Sequence, residues 1–273
     1  MQEHAKALRR RHRTIGLVPT MGYLHAGHAS LIRRSVKEND ETVVSIFVNP
    51  AQFGPAENFK KYPRDLRRDT AILEDAGADV LFYPSAAEMY PEGYATQVNV
   101  ERLSDVLCGA SRPGHFRGVA TVVAKLFHIV GPDAAYFGRK DAQQELIIKK
   151  MAADLNMDVE VKVMPIVRES DGLAMSSRNI YLNADERKDA VVLRQGLVLA
   201  KRMVRRGERS GRAIRQAMKR LIRQKRSARI DYVEVVDPES LRPVGTIRGS
   251  ALITLAVYIG ATRLIDNCSI KEG

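Results

Sequence analysis

The sequence predicts an α/β fold, with a parallel sheet domain followed by a smaller α+β domain. Short β-branched apolar runs alternate with amphipathic helical stretches as far as Val163, and the runs end in turns that carry glycine, proline and polar residues. Beyond Asn183 the order changes to two basic helices and then three strands. The first pattern builds parallel βαβ units, and the second builds an antiparallel sheet covered by helices.

Taken in order, residues 1 to 13 read as a helix and Thr14–Val18 (TIGLV) as a buried parallel strand. A turn from Pro19 to His28 leads into a helix over Ala29–Lys37, with Leu31, Ile32 and Val36 at helical spacing. Thr42–Val48 (TVVSIFV) is the second strand. Pro50 and Gly54 stop it and leave Asn49 and Gln52 at its carboxyl end, where open parallel sheets hold ligands. The helix over Asp65–Gly77 turns Leu66, Ile72 and Leu73 inward and stops at Gly77. Asp79–Tyr83 is a third strand, and Ser85–Val100 reads as loop with an edge strand. A cationic, glycine-rich loop, Leu107–Gly118, precedes an apolar helix to Val130. The strand Ala134–Phe137 meets Gly138-Arg139-Lys140-Asp141 and a helix through Asp154, with Gln143 and Gln144 in its first turn. Val159–Val163 is a further strand, and Met175-Ser176-Ser177-Arg178 follows a hinge near Arg168–Gly172. Helices over Ala184–Arg206 and Gly211–Arg226 precede strands at Ile230–Val236, Ala251–Ile259 and Arg263–Asp266. The reading is therefore a Rossmann-like parallel sheet domain over residues 1–168 and an α+β domain over 169–273.

Composition excludes several classes. The chain has 273 residues and 45% hydrophobic content, enough for two cores. No run of about 18 uncharged apolar residues exists to cross a membrane. The basic N-terminus, MQEHAKALRRRHR, has no apolar stretch behind it and does not read as a secretory signal. Cys108 and Cys268 give neither a disulfide framework nor a metal spacing, so a reducing cytoplasm is expected. The net charge of +12 is concentrated between Asp185 and Arg229, where 16 Lys/Arg face 4 Asp/Glu. No aromatic residue lies in that interval to stack bases, and charge alone supplies only non-specific affinity. A solvated face is expected there rather than a nucleic-acid surface.

The stretch with the most chemistry is Pro19-Thr20-Met21-Gly22-Tyr23-Leu24-His25-Ala26-Gly27-His28. It joins a strand to a helix, where unpaired N–H groups and the positive end of the helix dipole favour anions. His25 and His28 share one helical face, and Gly22 and Gly27 let backbone approach a bulky ligand. Lys140 lies at a second strand–glycine–helix transition, placed to reach a phosphate as a point charge. Ser176, Ser177 and Arg178 offer two hydroxyls and a cation in a row; a helix cap with a solvent-facing arginine is the competing reading.

PTMGYLHAGH, VSIFVNPAQFG, YFGRKDAQQ and MSSRN, in this order, resemble the pantothenate synthetase (pantoate–β-alanine ligase) family. His-x-Gly-His alone marks only the wider nucleotidylyltransferase-like group; the four motifs together are specific. The chain starts within its first helix, where family members carry a short strand before it.

The resemblance implies an AMP-forming ligase. Pantoate attacks the α-phosphorus of ATP, with Mg²⁺ on the phosphates, and β-alanine then attacks the pantoyl adenylate. It implies an ATP site at Met21, Gly22, Tyr23, Leu24, His25, Ala26, Gly27, His28, Gly138, Arg139, Lys140, Asp141, Val167, Met175, Ser176, Ser177 and Arg178. Gln52 and Gln144 would hold pantoate, and His28 is the residue usually given an acid role. The residues themselves read His28, His25, Lys140 and Arg178 as donors that stabilise charge, because pyrophosphate leaves well without a proton. A C-terminal lid would keep water from the adenylate. The family also implies a homodimer. Two alternatives use the same features: a nucleotidylyltransferase for another carboxylate or phosphate ester, which would not require Gln52 and Gln144, and an RNA-binding protein using the basic helices.

Overall fold

The computed structural model describes residues 1–54 and 59–271 and divides into two compact units. The first comprises residues 1–139 with 143–165, and the second 140–142 with 166 onward.

The first unit runs α1 (Gln2–Arg10), β1 (Ile15–Thr20), α2 (Ala26–Glu38), β2 (Glu41–Ile46), α3 (Leu66–Ala76), β3 (Val80–Phe82), α4 (Ala86–Met89), α5 (Cys108–Ser111), α6 (His115–Val130), β4 (Ala134–Gly138), α7 (Ala142–Asp154) and β5 (Glu160–Met164). Its five strands form a wholly parallel sheet in the order β3-β2-β1-β4-β5. The winding therefore reverses between β1 and β4, and ligands of such sheets bind beyond the carboxyl ends of the strands at that reversal. β2 is buried along its whole length and β1 at all but one residue, as parallel strands covered on both faces must be. Val18, Val44 and Tyr136 pack with Leu31 and Ile32 of α2 and Leu73 of α3.

Several expectations need correction. Leu66, read as inward, is 41% exposed, and Val36, placed at helical spacing with Leu31 and Ile32, is 38% exposed. Leu66 opens its helix beside the capping residue Asp65, where the apolar stripe has not yet begun. Residues 85–100 hold no strand. A Ser85–Glu88 capping box starts the short α4, and Pro91 and the left-handed Gly93 (φ 78°) carry the chain on as irregular loop.

In the second unit come α8 (Ala184–Ala190), α9 (Val192–Arg205), α10 (Gly211–Ile222), β6 (Ala228–Val236), β7 (Ser250–Ile259) and β8 (Thr262–Lys271). The expected single helix over 184–206 is two, because the turn tightens at Val191 and its N–H bonds Asp189. The sheet is antiparallel, β6-β7-β8, and the final strand pairs with β7 out to Lys271 rather than stopping at Asp266. Leu193, Leu197, Ile214 and Met218 share a core with Ile253, Leu255 and Val257, all at most 1% exposed. The cations of α9 and α10 are left on the outside, with Arg202, Arg205, Arg212 and Arg220 exposed.

One carboxylate makes the first unit's stability sensitive to acid. Glu38, at the end of α2, accepts from Lys162 Nζ on β5 (3.0 Å) and from Tyr136 Oη on β4 (2.8 Å), and pairs with Arg34. The Lys162 bond, then the Tyr136 bond, holds its carboxyl down at about 2. A depressed pKa stabilises the fold above the unfolded-state value and loses that contribution as pH falls through the folded one. Glu38→Gln is therefore expected to lower Tm most at neutral pH, with the gap from the parent closing between pH 4.5 and about 2. Thermal melts at pH 7 and pH 3 test it; an equal gap at both would show that Glu38 acts only by packing.

Candidate active site

The loop between β1 and α2 is built by its own main chain and one remote carboxylate. Gly22 (φ 82°) and Tyr23 (φ 51°) both take left-handed conformations, which turn the chain sharply out of the strand. Asp69 of α3, 1% exposed, accepts from the N–H of Tyr23 and of Leu24, each at 2.7 Å. A Cβ on Gly22 would lie 3.0 Å from Ile46 and 3.1 Å from the Asp69 carboxylate, so only glycine suits both the turn and the space.

His25 then caps α2. Its Nδ1 accepts from Gly27 N–H at 3.1 Å, while His28 Nδ1 accepts from His25 N–H at 3.3 Å, a reciprocal capping box with ring centroids 4.0 Å apart. A nitrogen that accepts carries no proton. In this arrangement the hydrogen of a neutral imidazole sits on Nε2 in both rings. Ala26 and Gly27 form the first turn of α2.

Beyond β2, Asn49 caps a 3₁₀ turn, Pro50–Gln52, and organises its surroundings. Its Oδ1 accepts from Tyr90 Oη (2.7 Å) and Ala51 N–H (3.2 Å), and its Nδ2 donates to Gln52 Oε1 and Gly118 O, both at 3.1 Å. Burial pushes the Tyr90 phenol pKa up, with Tyr94 adding to it, so the hydroxyl remains a donor. Gln52, 8% exposed, sets its Nε2 3.0 Å from Met21 Sδ. α6 crosses this turn at Gly118, where a Cβ would meet Ala51 O at 2.2 Å. His115 Nδ1 lies 2.8 Å from Gln52 O, and Arg112 Nη1 lies 2.9 Å from His115 Nε2. Arginine only donates, so His115 accepts at Nε2 and donates from Nδ1 to the Gln52 carbonyl.

Neighbouring glutamines on α7 divide their work. Gln143 donates to Leu103 O and Val106 O, each at 2.8 Å, and accepts from Cys108 N–H. It ties down the loop before α5. Gln144, partly exposed, makes no side-chain hydrogen bond within the chain among the described residues. Gly138 ends β4 with nothing within 4 Å of where its Cβ would stand, and Arg139 lies 3.7 Å from the buried Glu145.

The remaining residues singled out by the sequence fall in the second unit. Lys140 is half-buried. Burial pulls its pKa down, Asp141 and Asp266 oppose that, and Arg178 reinforces it. Val167 O accepts from Met175 N–H at 3.0 Å. Ser176 caps the 3₁₀ turn Ser177–Tyr181, its Oγ accepting from Arg178 N–H at 3.2 Å, so the serine–serine–arginine run includes a cap, with Arg178 half-buried in the turn that it starts.

The family model described as Pantoate-beta-alanine ligase matches residues 1–269. The chain belongs to the pantoate–β-alanine ligase family. Pantothenate synthetase of Caldicellulosiruptor saccharolyticus is 54% identical over 271 residues, covering 99% of this chain and 96% of its own. That of Acetivibrio thermocellus is 58% identical over 259 residues, covering 95% and 92%. The crystal structure of pantothenate synthetase from Thermus thermophilus superposes with a TM-score of 0.92 at 48% identity, over 97% of this chain and 96% of that one. A pantoate-beta-alanine ligase from Francisella tularensis, complexed with Beta-gamma ATP and Beta-alanine, has a TM-score of 0.78 at 34% identity, over 97% and 94%. This member of the family is thus an ATP-dependent ligase with the family's two-sheet fold. No described helix is long and apolar enough to cross a membrane.

Sequence reading did not reach Asp69, Tyr90, Arg112 or His115 as individual residues. Asp69 looked like one more charge on an amphipathic helix, and its partners lie 45 and 46 positions away. The composition of the Leu107–Gly118 loop did flag Arg112 and His115 as a group.

Proposed function

We propose that the protein condenses pantoate with β-alanine through a pantoyl adenylate, releasing pyrophosphate and AMP. A pantoate carboxylate oxygen bonds to the α-phosphorus as the α–β bridging bond breaks and pyrophosphate departs. The β-alanine amine then bonds to the acyl carbon, and AMP leaves with the former carboxylate oxygen. Catalysis of the first step is chiefly positioning and charge stabilisation.

The observation that carries this reading is the histidine pair. Both Nδ1 atoms are engaged by main-chain N–H groups at the start of α2, which leaves Nε2–H of each ring as its donor at a helix N-terminus. His25 and His28 are the donors to phosphate oxygens as pyrophosphate develops charge, with Lys140 and Arg178 as the cations. Met21 to Leu24, Ala26, Gly27, Gly138, Arg139, Asp141, Val167, Met175, Ser176 and Ser177 complete the nucleotide contacts. Gln52 and Gln144 hold pantoate. Neutral amides bond its carboxylate and hydroxyls without pinning the carboxylate so firmly that it stops being a nucleophile.

Mg²⁺ enters with ATP. Among the described residues no three His, Cys, Asp or Glu side chains gather as a metal site. A cytoplasmic homodimer completes the reading.

Oxygen labelling tests it. Pantoate carrying ¹⁸O in its carboxylate is expected to deliver one labelled oxygen to AMP when β-alanine is present. Label retained wholly in pantothenate and water would refute an acyl adenylate.

A further inference from the structure

Two polar residues lie buried in the middle of β8, on a strand whose neighbours Leu264, Cys268 and Ile270 belong to the core. Asp266 and Asn267 are each 2% exposed. Burying such groups is costly unless they are bonded, and an apolar pair would complete the sheet as well. Their partners are specific.

Asn267 Nδ2 donates to the main-chain carbonyl of Lys140 at 3.0 Å, a residue 127 positions earlier. Asp266 takes the Arg168 guanidinium at both oxygens (2.7 and 2.9 Å), and its Oδ1 also accepts from Asn267 N–H at 2.8 Å. Arg168 in turn donates to Gly172 O at 3.0 Å and bridges to Ala174, closing the hairpin that leads to Ser176 and Arg178. Asp266 also opposes the burial that lowers the Lys140 pKa, whereas Arg178 adds to it. The loop presenting Lys140 and the hairpin presenting Arg178 are thus fastened to adjacent residues of one strand.

We propose that Asp266 and Asn267 are positioning residues, which hold Lys140 and Arg178 as one pre-assembled pair of cations for the polyphosphate. The inference rests on the adenylyl-transfer reading, since that reaction is what the two cations serve. It explains why Lys140, Asp141 and Ala142 group with the second unit although they interrupt the first in sequence.

A double-mutant cycle on the full chain tests it, with kcat and KM for ATP read from pantoate-dependent pyrophosphate exchange and Tm read alongside. Asn267→Ala is expected to lower kcat/KM about tenfold in the parent, the factor carried by one ordinary hydrogen bond. In the Lys140→Ala background the same change should cost less than about twofold, because the side chain it positions is gone. Should Asn267→Ala melt below the assay temperature, Asn267→Asp, which keeps the shape and removes the donor, takes its place. Equal losses in both backgrounds, or no loss in the parent, would overturn the proposal while leaving the reaction standing. Exchange absent from the unmodified protein would instead overturn the reaction, and this inference with it.

Discussion

Replacing His28 with alanine is expected to lower pantoate-dependent pyrophosphate exchange by about 10²–10³-fold, the range for loss of one donor to developing charge. The side chain has two jobs, and they are separable. Its Nδ1 accepts from His25 N–H and so helps to start α2, while Nε2–H is the donor assigned to phosphate. Alanine removes both, and the lost cap alone costs about 1 kcal/mol of stability. His28→Asn keeps an acceptor near the place of Nδ1 but nothing at the place of Nε2. Asparagine should therefore restore most of the thermal stability and little of the exchange. Recovery of exchange in the asparagine variant would mean that the histidine matters as a cap and not as a donor.

Loss of the Asp69 carboxylate is expected to have the largest effect on stability. Asp69→Ala strands the N–H groups of Tyr23 and Leu24, the latter fully buried, in a loop where two consecutive residues already hold positive φ. Each unsatisfied buried N–H costs about 1–3 kcal/mol, so the unfolding free energy should fall by roughly 2–5 kcal/mol. Exchange should fall further than the loss of folded protein explains, because the same loop delivers His25 to the start of α2. Urea unfolding and exchange measured on one preparation separate these effects. A change within about 0.5 kcal/mol, the usual scale of a surface substitution, would show that the loop holds its shape without the carboxylate.

The parts legible in the sequence were those coded locally. β1, its turn and α2 announce themselves through TIGLV, two glycines and a pair of histidines one helical turn apart, whereas the reversal of strand order between β1 and β4 is seen only in the structure. Even there the start of α2 was misplaced by three residues, because histidine is an unusual cap and the box it forms with His28 uses ring nitrogens. Illegible were contacts made across the fold. Nothing in the run Arg67-Arg68-Asp69-Thr70 distinguishes the carboxylate that holds Tyr23 and Leu24 from ordinary helix-surface charge. Gln143 and Gln144 are identical in type and adjacent, yet only the structure separates the one that ties down a loop from the one left available. β8 was read only as far as Asp266, although Asp266 and Asn267 are both buried strand residues with distant partners and the pairing runs on to Lys271.

The most direct test of the account is isotope exchange between pyrophosphate and ATP, measured with and without pantoate and before any β-alanine is added. Exchange that depends on pantoate is expected, followed by AMP release once β-alanine is supplied. Exchange that proceeds equally without pantoate, or that is absent with it, would contradict the account and assign the histidine pair to another nucleotidyl transfer.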